Sequence, residues 1–105
     1  MNPKLLNLIG MARRAGCLEI GFEAAAEAIR KNKASLVLIA SDTAARTEKE
    51  LRFHCKDKKI EVLRLVFTKF ELSNAIGAQA GAVAICDKGF AKRAKELLSQ
   101  GGNNS

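Results

Sequence analysis

Three short apolar runs constrain the fold of this chain more than any other feature. They occupy residues 36–40, 62–66 and 82–86, and each precedes a segment with helical character. Runs that are apolar at consecutive positions, rather than at alternate ones, belong to strands that helices cover on both faces. The pattern predicts alternating strands and helices around a mostly parallel sheet. It places functional residues in the loops and helix starts beyond the strand ends.

The chain is long enough for one domain, which we place at residues 1–100 of the 105. The polar, glycine-rich segment 101–105 is expected to be a disordered tail. A first helix, capped by Asn2, is predicted over about residues 3–15. A short strand at about 18–20 and a second helix over about 22–31 follow it.

Capping residues indicate where the three remaining helices begin. Either Asp42 or Thr43 is expected to cap a third helix, because both follow the 36–40 run and have the side chains that caps require. Thr68 begins the pattern of a capping box for a fourth helix, and Asp87 is expected to cap a fifth. These helices are predicted to end near residues 57, 77 and 99.

The charge of the chain indicates its class of partner. Lys and Arg number 18 against 11 Asp and Glu, which gives a formal net charge of +7. So large an excess in a short chain is typical of proteins that bind polyanions. We therefore favour nucleic-acid binding over a basic surface that serves solubility alone.

The cysteines and the N-terminal segment indicate the compartment. Cys17, Cys55 and Cys86 are too widely spaced for a CxxC ligand pair, and their odd number does not fit a closed disulfide framework. The first helix carries its apolar residues before its two arginines, the reverse of a secretory signal, and no run is long enough for a membrane span. We expect a cytoplasmic protein whose thiols are structural.

No catalytic template fits the titratable residues. His54 is the only histidine, and its neighbour Cys55 points about 100° away on a helix, so the two do not form a nucleophile–base pair. The lysine and hydroxyl pair of a phosphate-binding loop is absent. Asp42 and Asp87 follow strands but are better explained as helix caps. We expect no enzyme activity, no cofactor and no metal.

Two segments have the small residues that a close approach of RNA requires. The start of the second helix, at Gly21 and Phe22, offers backbone amides and the positive end of a helix dipole. The loop at 78–82 is small enough to admit an RNA backbone or an extruded base. Arg13 and Arg14 are candidates for phosphate contacts. Five Phe with no Trp or Tyr are too few aromatic residues for a base-stacking platform.

The sequence resembles the L7Ae/L30e superfamily of ribosomal proteins over nearly its whole length. The segments that carry the resemblance are 6–21, 33–42, 71–77 and 83–91. Ala-Arg-Arg-Ala-Gly at 12–16 and Asp-Lys-Gly-Phe-Ala at 87–91 are most similar to the bacterial YlxQ-like branch. The resemblance implies a three-layer α/β/α sandwich with a mixed, mostly parallel four-stranded sheet. It also implies RNA binding, commonly to kink-turns, without enzyme activity.

The resemblance assigns positions in the second helix. Members that bind kink-turns begin this helix with Gly-x-Asn-Glu-x-x-Lys, whose polar side chains read sheared G·A pairs. Gly21 matches the glycine, whereas Glu23, Ala24 and Glu27 stand where those members have Asn, Glu and Lys. Because three of these four positions differ, the resemblance implies RNA binding without implying kink-turn recognition.

Two hypotheses remain open. The first is a non-catalytic, monomeric protein that binds structured RNA, either ribosomal or kink-turn-like, with ribosome association left open. The second is a protein-interaction module that keeps the fold and has lost kink-turn recognition. The net charge favours the first, and the substitutions in the second helix favour the second. The candidate RNA-binding residues are Arg13, Arg14, Gly21, Phe22, Glu23, Glu27, Ala78, Gln79, Ala80, Gly81 and Ala82.

Overall fold

The computed structural model describes residues 3–99, in which helices and strands alternate. The helices are α1 (Pro3–Arg14), α2 (Phe22–Arg30), α3 (Ala45–His54), α4 (Lys69–Ile76) and α5 (Lys88–Leu97). The strands are β1 (Leu18–Ile20), β2 (Leu36–Ile39), β3 (Glu61–Arg64) and β4 (Ala82–Ile85). The predicted Asn2 cap and the predicted tail at 101–105 lie outside the described residues.

The sheet is mixed, but the prediction that it is mostly parallel is wrong. The strand order is β1-β4-β2-β3, and only β2 and β3 pair in parallel, because the inner strand β4 runs antiparallel to both of its neighbours. The reason lies in α4. After β3 ends, the chain re-enters the sheet at the same edge, where Ala82 pairs with Ile39. The eight-residue helix α4 therefore does not carry the chain back to the opposite edge, as a parallel crossover requires.

Helices cover both faces of the sheet, which confirms the three-layer α/β/α sandwich. On one face, Leu36 and Leu38 of β2 join a core cluster with residues of α1, α4 and α5. On the other face, Val37 and Ile39 pack with residues of α2 and α3. All residues of the 36–40 run are fully buried, as the sequence predicts.

The run at 62–66 is less buried than its apolar character predicts. Val62 and Leu65 are buried, but Leu63 and Arg64 are half-buried and Val66 is 43% exposed. β3 lies at the edge of the sheet, and Val66 lies in the loop that follows it. An edge strand has a neighbour on one side only, so helices cover it incompletely.

The helix caps follow the sequence in two cases. Thr68 and Glu71 form the predicted capping box of α4, which ends at Gly77 in the left-handed conformation (φ 71°). At α5, the Asp87 carboxylate accepts a hydrogen bond from the Phe90 amide at 2.9 Å. These caps are local, so their spacing in the sequence is sufficient to predict them.

The predicted cap of α3 is wrong. Neither Asp42 nor Thr43 caps this helix, which begins after Ala44 without a side-chain cap and ends at His54 rather than near residue 57. The Asp42 carboxylate instead accepts from the Lys69 amide at the start of α4, at 2.9 Å. The Thr43 hydroxyl donates to the Gly81 carbonyl at 2.8 Å. Long-range partners thus replace the local capping bond.

The strand directions define two edges of the sheet. At the first, which we call the Gly21 edge, β1, β2 and β3 end and β4 begins. Its loops comprise Gly21 and residues 40–44, 65–68 and 77–81. At the second, which we call the Asp87 edge, β4 ends and the other strands begin.

Candidate nucleic-acid interface

Backbone hydrogen bonds join the loops of the Gly21 edge into one surface. The Gly21 amide donates to the Ala82 carbonyl at 2.8 Å, and the Ala40 amide donates to the Gly81 carbonyl at 2.8 Å. The Ser41 amide donates to the Phe67 carbonyl at 2.7 Å. The two segments with small residues, the start of α2 and the 78–82 loop, are therefore neighbours, as the RNA-binding hypothesis requires.

Arg64 holds the 40–44 loop in place. Its guanidinium donates to the carbonyls of Ser41 at 2.8 Å and of Ala40 and Thr43 at 3.3 Å each, and it forms an ion pair with Glu48. Hydrogen bonds from Arg64 and then from Arg52 hold the pKa of the Glu48 carboxyl below its ordinary value. In the sequence, the one indication of this role is that Arg64 is the single charged residue in the apolar run at 62–66.

A small pocket lies where these loops meet. It has a volume of about 210 Å³ and combines the half-buried ring of Phe22 with hydroxyl-bearing, small and cationic residues. The Lys69 side chain is exposed at its border. The residues that line the pocket are Phe22, Thr43, Ala44, Thr47, Lys69, Gly81 and Ala82.

Two helices begin at this pocket without side-chain caps. Gly21 at the start of α2 and Ala44 at the start of α3 provide no capping hydrogen bond. By contrast, α4, which begins beside the same pocket at Lys69, and α5, which begins at the Asp87 edge, carry the capping bonds described above. The first amides of α2 and α3 therefore keep their capacity to donate, and the positive ends of two helix dipoles face one pocket. Such an arrangement favours anionic or hydrogen-bond-accepting ligands.

Gly21 allows α2 to begin beside the pocket. Its backbone has φ 99° and ψ 162°, a conformation that is almost restricted to glycine. A Cβ at Gly21 would meet no heavy atom within 4 Å. The requirement for glycine is therefore conformational, and the space beside it is open to a ligand.

The predicted residues of the 78–82 loop differ in what they expose. Gln79 is exposed and Ala78 is half-buried, whereas Ala80 and Ala82 are buried. The Ala80 amide donates to the Ser73 hydroxyl at 3.2 Å, which fixes the loop against α4. Ala80 and Ala82 therefore have small, buried side chains that do not project from the surface. Gln79 supplies the exposed polar side chain.

The predicted residues of α2 do not all face the pocket. Phe22 lines it, and Glu23 is exposed in the first turn of the helix. Glu27 lies further along α2 in an ion pair with Lys31 at 3.2 Å, and both side chains are more than half exposed. Glu27 lines a separate concavity that also includes Ala24.

Of the two predicted arginines, Arg13 has a structural partner. Its guanidinium donates to the Ile76 carbonyl at the end of α4, next to Gly77. Arg13 thereby stabilises the chain just before the 78–82 loop. Arg14 is exposed in the last turn of α1, and no hydrogen bond or ion pair within residues 3–99 joins it to the pocket.

Four pocket residues are not among the RNA-binding candidates that the sequence indicates. They follow β2 and β3, which end at the same edge as β1. The common direction of these three strands was the available signal, because parallel strands bring the loops after them together. The missed residues are Thr43, Ala44, Thr47 and Lys69.

The cysteines lie away from this pocket. Burial raises the pKa of the Cys55 thiol, and burial followed by the Glu19 carboxylate raises that of Cys86. The Cys86 amide donates to the Cys17 carbonyl at 2.8 Å, so the fold brings these two residues together although they are distant in sequence. All three cysteines are free thiols.

Two further properties of the described segment concern metal-ligand clusters and membrane-spanning helices. Within residues 3–99, no group of three His, Cys, Asp or Glu side chains is arranged to hold a metal ion. In the same segment, no helix has both the length and the apolar character needed to cross a membrane.

Comparison with known proteins identifies the family. The chain is 37% identical over 95 residues to the RNA-binding protein YlxQ of Enterococcus faecium, covering 90% of this chain and 91% of that protein. It is 33% identical over 92 residues to the RNA-binding protein YlxQ of Bacillus subtilis, covering 87% of this chain and 91% of that protein. A solved structure of a Bacillus halodurans protein of unknown function superposes with a TM-score of 0.84 at 30% identity, covering 91% and 97% of the two chains. The family model of the ribosomal protein L7Ae/L30e/S12e/Gadd45 family matches residues 3–95, and the chain belongs to that family.

Proposed function

We propose that this protein binds structured RNA through the pocket of the Gly21 edge and that it acts without catalysis. One observation carries the proposal: the uncapped amide ends of α2 and α3 converge on one pocket beside the exposed Lys69. The net charge of +7 and the RNA-binding relatives support the same function.

The pocket suits a phosphate or an unstacked base. Helix amides and Lys69 favour a phosphate oxygen or a base acceptor, and Gly81 keeps the floor low enough for close approach. The Phe22 ring supplies an apolar wall for a base that leaves its stack. Structured RNA presents such bases in loops and bulges, whereas a regular duplex keeps them stacked.

The residues of α2 favour recognition by shape and backbone over readout of guanine. Ala24 has no hydrogen-bonding side chain, and the exposed carboxylate of Glu23 repels phosphates. We therefore propose a structured RNA, ribosomal or kink-turn-like in shape, that is held without the usual contacts to sheared G·A pairs. In this proposal the protein is a cytoplasmic monomer, and ribosomal RNA is one candidate target.

The test is a titration of fluorescent structured RNA at several salt concentrations. The variant Lys69→Glu should weaken binding at least about tenfold, because it replaces a cation at the pocket with an anion. The matched control is Lys49→Glu, since Lys49 is an exposed lysine of α3 that lines a separate concavity with Phe53 and His54. Equal affinities for the two variants would contradict the proposed site.

A protein-interaction module is the second candidate function. Phe70 is 74% exposed and follows Lys69 in α4, so an apolar side chain stands near the pocket where a protein partner could contact it. RNA affinity that is undetectable at low salt, with the wild-type protein folded, would favour this function over RNA binding.

A further inference from the structure

We propose that a lysine-lined groove at the Asp87 edge is a second binding site for the RNA phosphate backbone, separate from the pocket at the Gly21 edge. The inference rests on the proposed RNA-binding function and extends it to a surface at the opposite ends of the strands. The groove has a volume of about 620 Å³. Four lysines line it, from α5 and from the loop before β3.

The spacing of the α5 lysines places them on one face of the helix. Lys88, Lys92 and Lys95 are separated by four and three residues, which brings them onto neighbouring turns. Lys59, in the loop just before β3, also lines the groove. Buried Ala34 and Ala91 and half-buried Ser35 also line the groove, so its floor is made of small residues.

Most of this positive charge has no anionic partner. Within residues 3–99, Lys95 pairs with Glu61 at 2.9 Å, but Lys59, Lys88 and Lys92 form no ion pair. Glu96 also lines the groove and pairs with Arg93 at 3.6 Å. Three cations thus converge on one groove without compensation, which raises the local concentration of a polyanion.

The lining favours a phosphate backbone over an acidic protein segment. Protein interfaces depend on large apolar or aromatic anchors in pockets, and the described lining of this groove contains only alanine and serine beside its charged residues. Lysines on a floor of small residues offer point charges without base-edge readout, as sequence-independent backbone contacts require. The ligand is therefore the phosphodiester backbone of RNA.

The two sites lie at opposite ends of the strands. Four-residue strands separate the edges by about 13 Å, and the longest dimension of the molecule is 31 Å. A single short RNA segment at the Gly21 pocket does not reach the groove. An RNA that folds back, or a second segment of the same RNA, is needed to occupy both.

The experiment compares two double variants with equal loss of charge. Lys88→Gln with Lys92→Gln removes two cations of the groove, and Lys49→Gln with Lys56→Gln removes two exposed cations outside it. A structured RNA long enough to reach both edges is titrated with each variant across a range of salt concentrations. The groove variant should lose at least about tenfold in affinity relative to the control variant. Its slope of log K against log salt should be shallower by about 1 to 2, because two phosphate contacts are lost.

A second measurement uses the wild-type protein alone. Acetylation of lysines in the presence of the same RNA should be slower at Lys88 and Lys92 than in its absence, while Lys49 reacts equally in both. This readout does not depend on the folding of any variant.

The outcomes separate the two sites. If the groove variant matches its control while Lys69→Glu loses affinity, the groove is not an RNA site and the Gly21 pocket stands. If the wild-type protein binds no RNA at any salt concentration, both proposals are contradicted. Unchanged acetylation of Lys88 and Lys92 on saturation with RNA also overturns the groove.

Discussion

Gly21 shows how a single residue determines the form of the candidate site. Its φ of 99° and ψ of 162° place it where side chains are strained, and its amide bonds to the Ala82 carbonyl at 2.8 Å. Together these features position the start of α2 beside the 78–82 loop. Composition alone does not single out this glycine among the eight in the chain, but its place between a short strand and an alanine-rich helix does.

The variant Gly21→Ala should lower the free energy of unfolding by about 1–3 kcal/mol, because alanine is strained in this conformation. Urea denaturation of the two proteins measures the difference. Since the added Cβ meets no atom, the loss arises from the backbone rather than from a clash. Equal stability of the variant and the wild type would contradict this account.

Glu48 predicts a pH dependence of stability. Its pKa is lowered in the folded state by hydrogen bonds from Arg64 and Arg52, so the unfolded state binds more protons in acid. The stabilisation is present above the ordinary pKa of about 4.5 and is lost as the pH falls. Glu48→Gln should therefore reduce stability at pH 7 and weaken its decline toward pH 3, as urea unfolding at both pH values would measure. A variant with the same acid dependence as the wild type would contradict the role of this carboxylate.

At the scale of elements, the local signals of the sequence were more reliable than the long-range ones. The capping box at Thr68, the end of α4 at Gly77 and the cap at Asp87 depend on residues within one turn, and each was predicted. The antiparallel course of β4 was missed because it depends on where α4 returns the chain to the sheet. The role of Asp42 is likewise not local, because its carboxylate accepts from the distant amide of Lys69.

Helix α2 has Glu23, Ala24 and Glu27 at the positions where the resemblance places Asn, Glu and Lys in members that bind kink-turns. Replacing Glu23, Ala24 and Glu27 with Asn, Glu and Lys should raise affinity for a kink-turn at least about tenfold at fixed salt, because a good bidentate contact contributes about 1–3 kcal/mol. Glu27→Lys also breaks the exposed ion pair with Lys31, which costs little stability. The titration uses one kink-turn RNA and a straight duplex of equal length. Tight kink-turn binding by the wild type would show that these substitutions do not exclude recognition.

At the scale of the molecule, the sheet separates the two edges that carry the proposed sites. The core clusters on both faces meet at β2, whose residues are all fully buried. The sequence predicted this layer because the 36–40 run has no polar residue. At the Gly21 edge the sequence indicates Phe22, Gly81 and Ala82 but not the pocket residues that follow β2 and β3, because their place in the pocket depends on the pairing of strands that are distant in sequence.

The variant Leu38→Asp should prevent stable folding. It removes about 2 kcal/mol of apolar burial and places a carboxylate without a partner in the core, against a total stability of about 5–15 kcal/mol. Far-ultraviolet circular dichroism with thermal denaturation measures the outcome. Phe53→Asp is the control, because Phe53 is 71% exposed and the variant should fold. A cooperatively unfolding Leu38→Asp protein would contradict the architecture.

The most direct test of RNA binding at the Gly21 edge is to map the backbone amides that respond when a structured RNA is added to the ¹⁵N-labelled protein. The largest shifts are expected at the start of α2, at the start of α3 and in the 78–82 loop, where amides and small residues surround the pocket. Saturable binding that leaves these three segments unperturbed would contradict RNA binding at this edge.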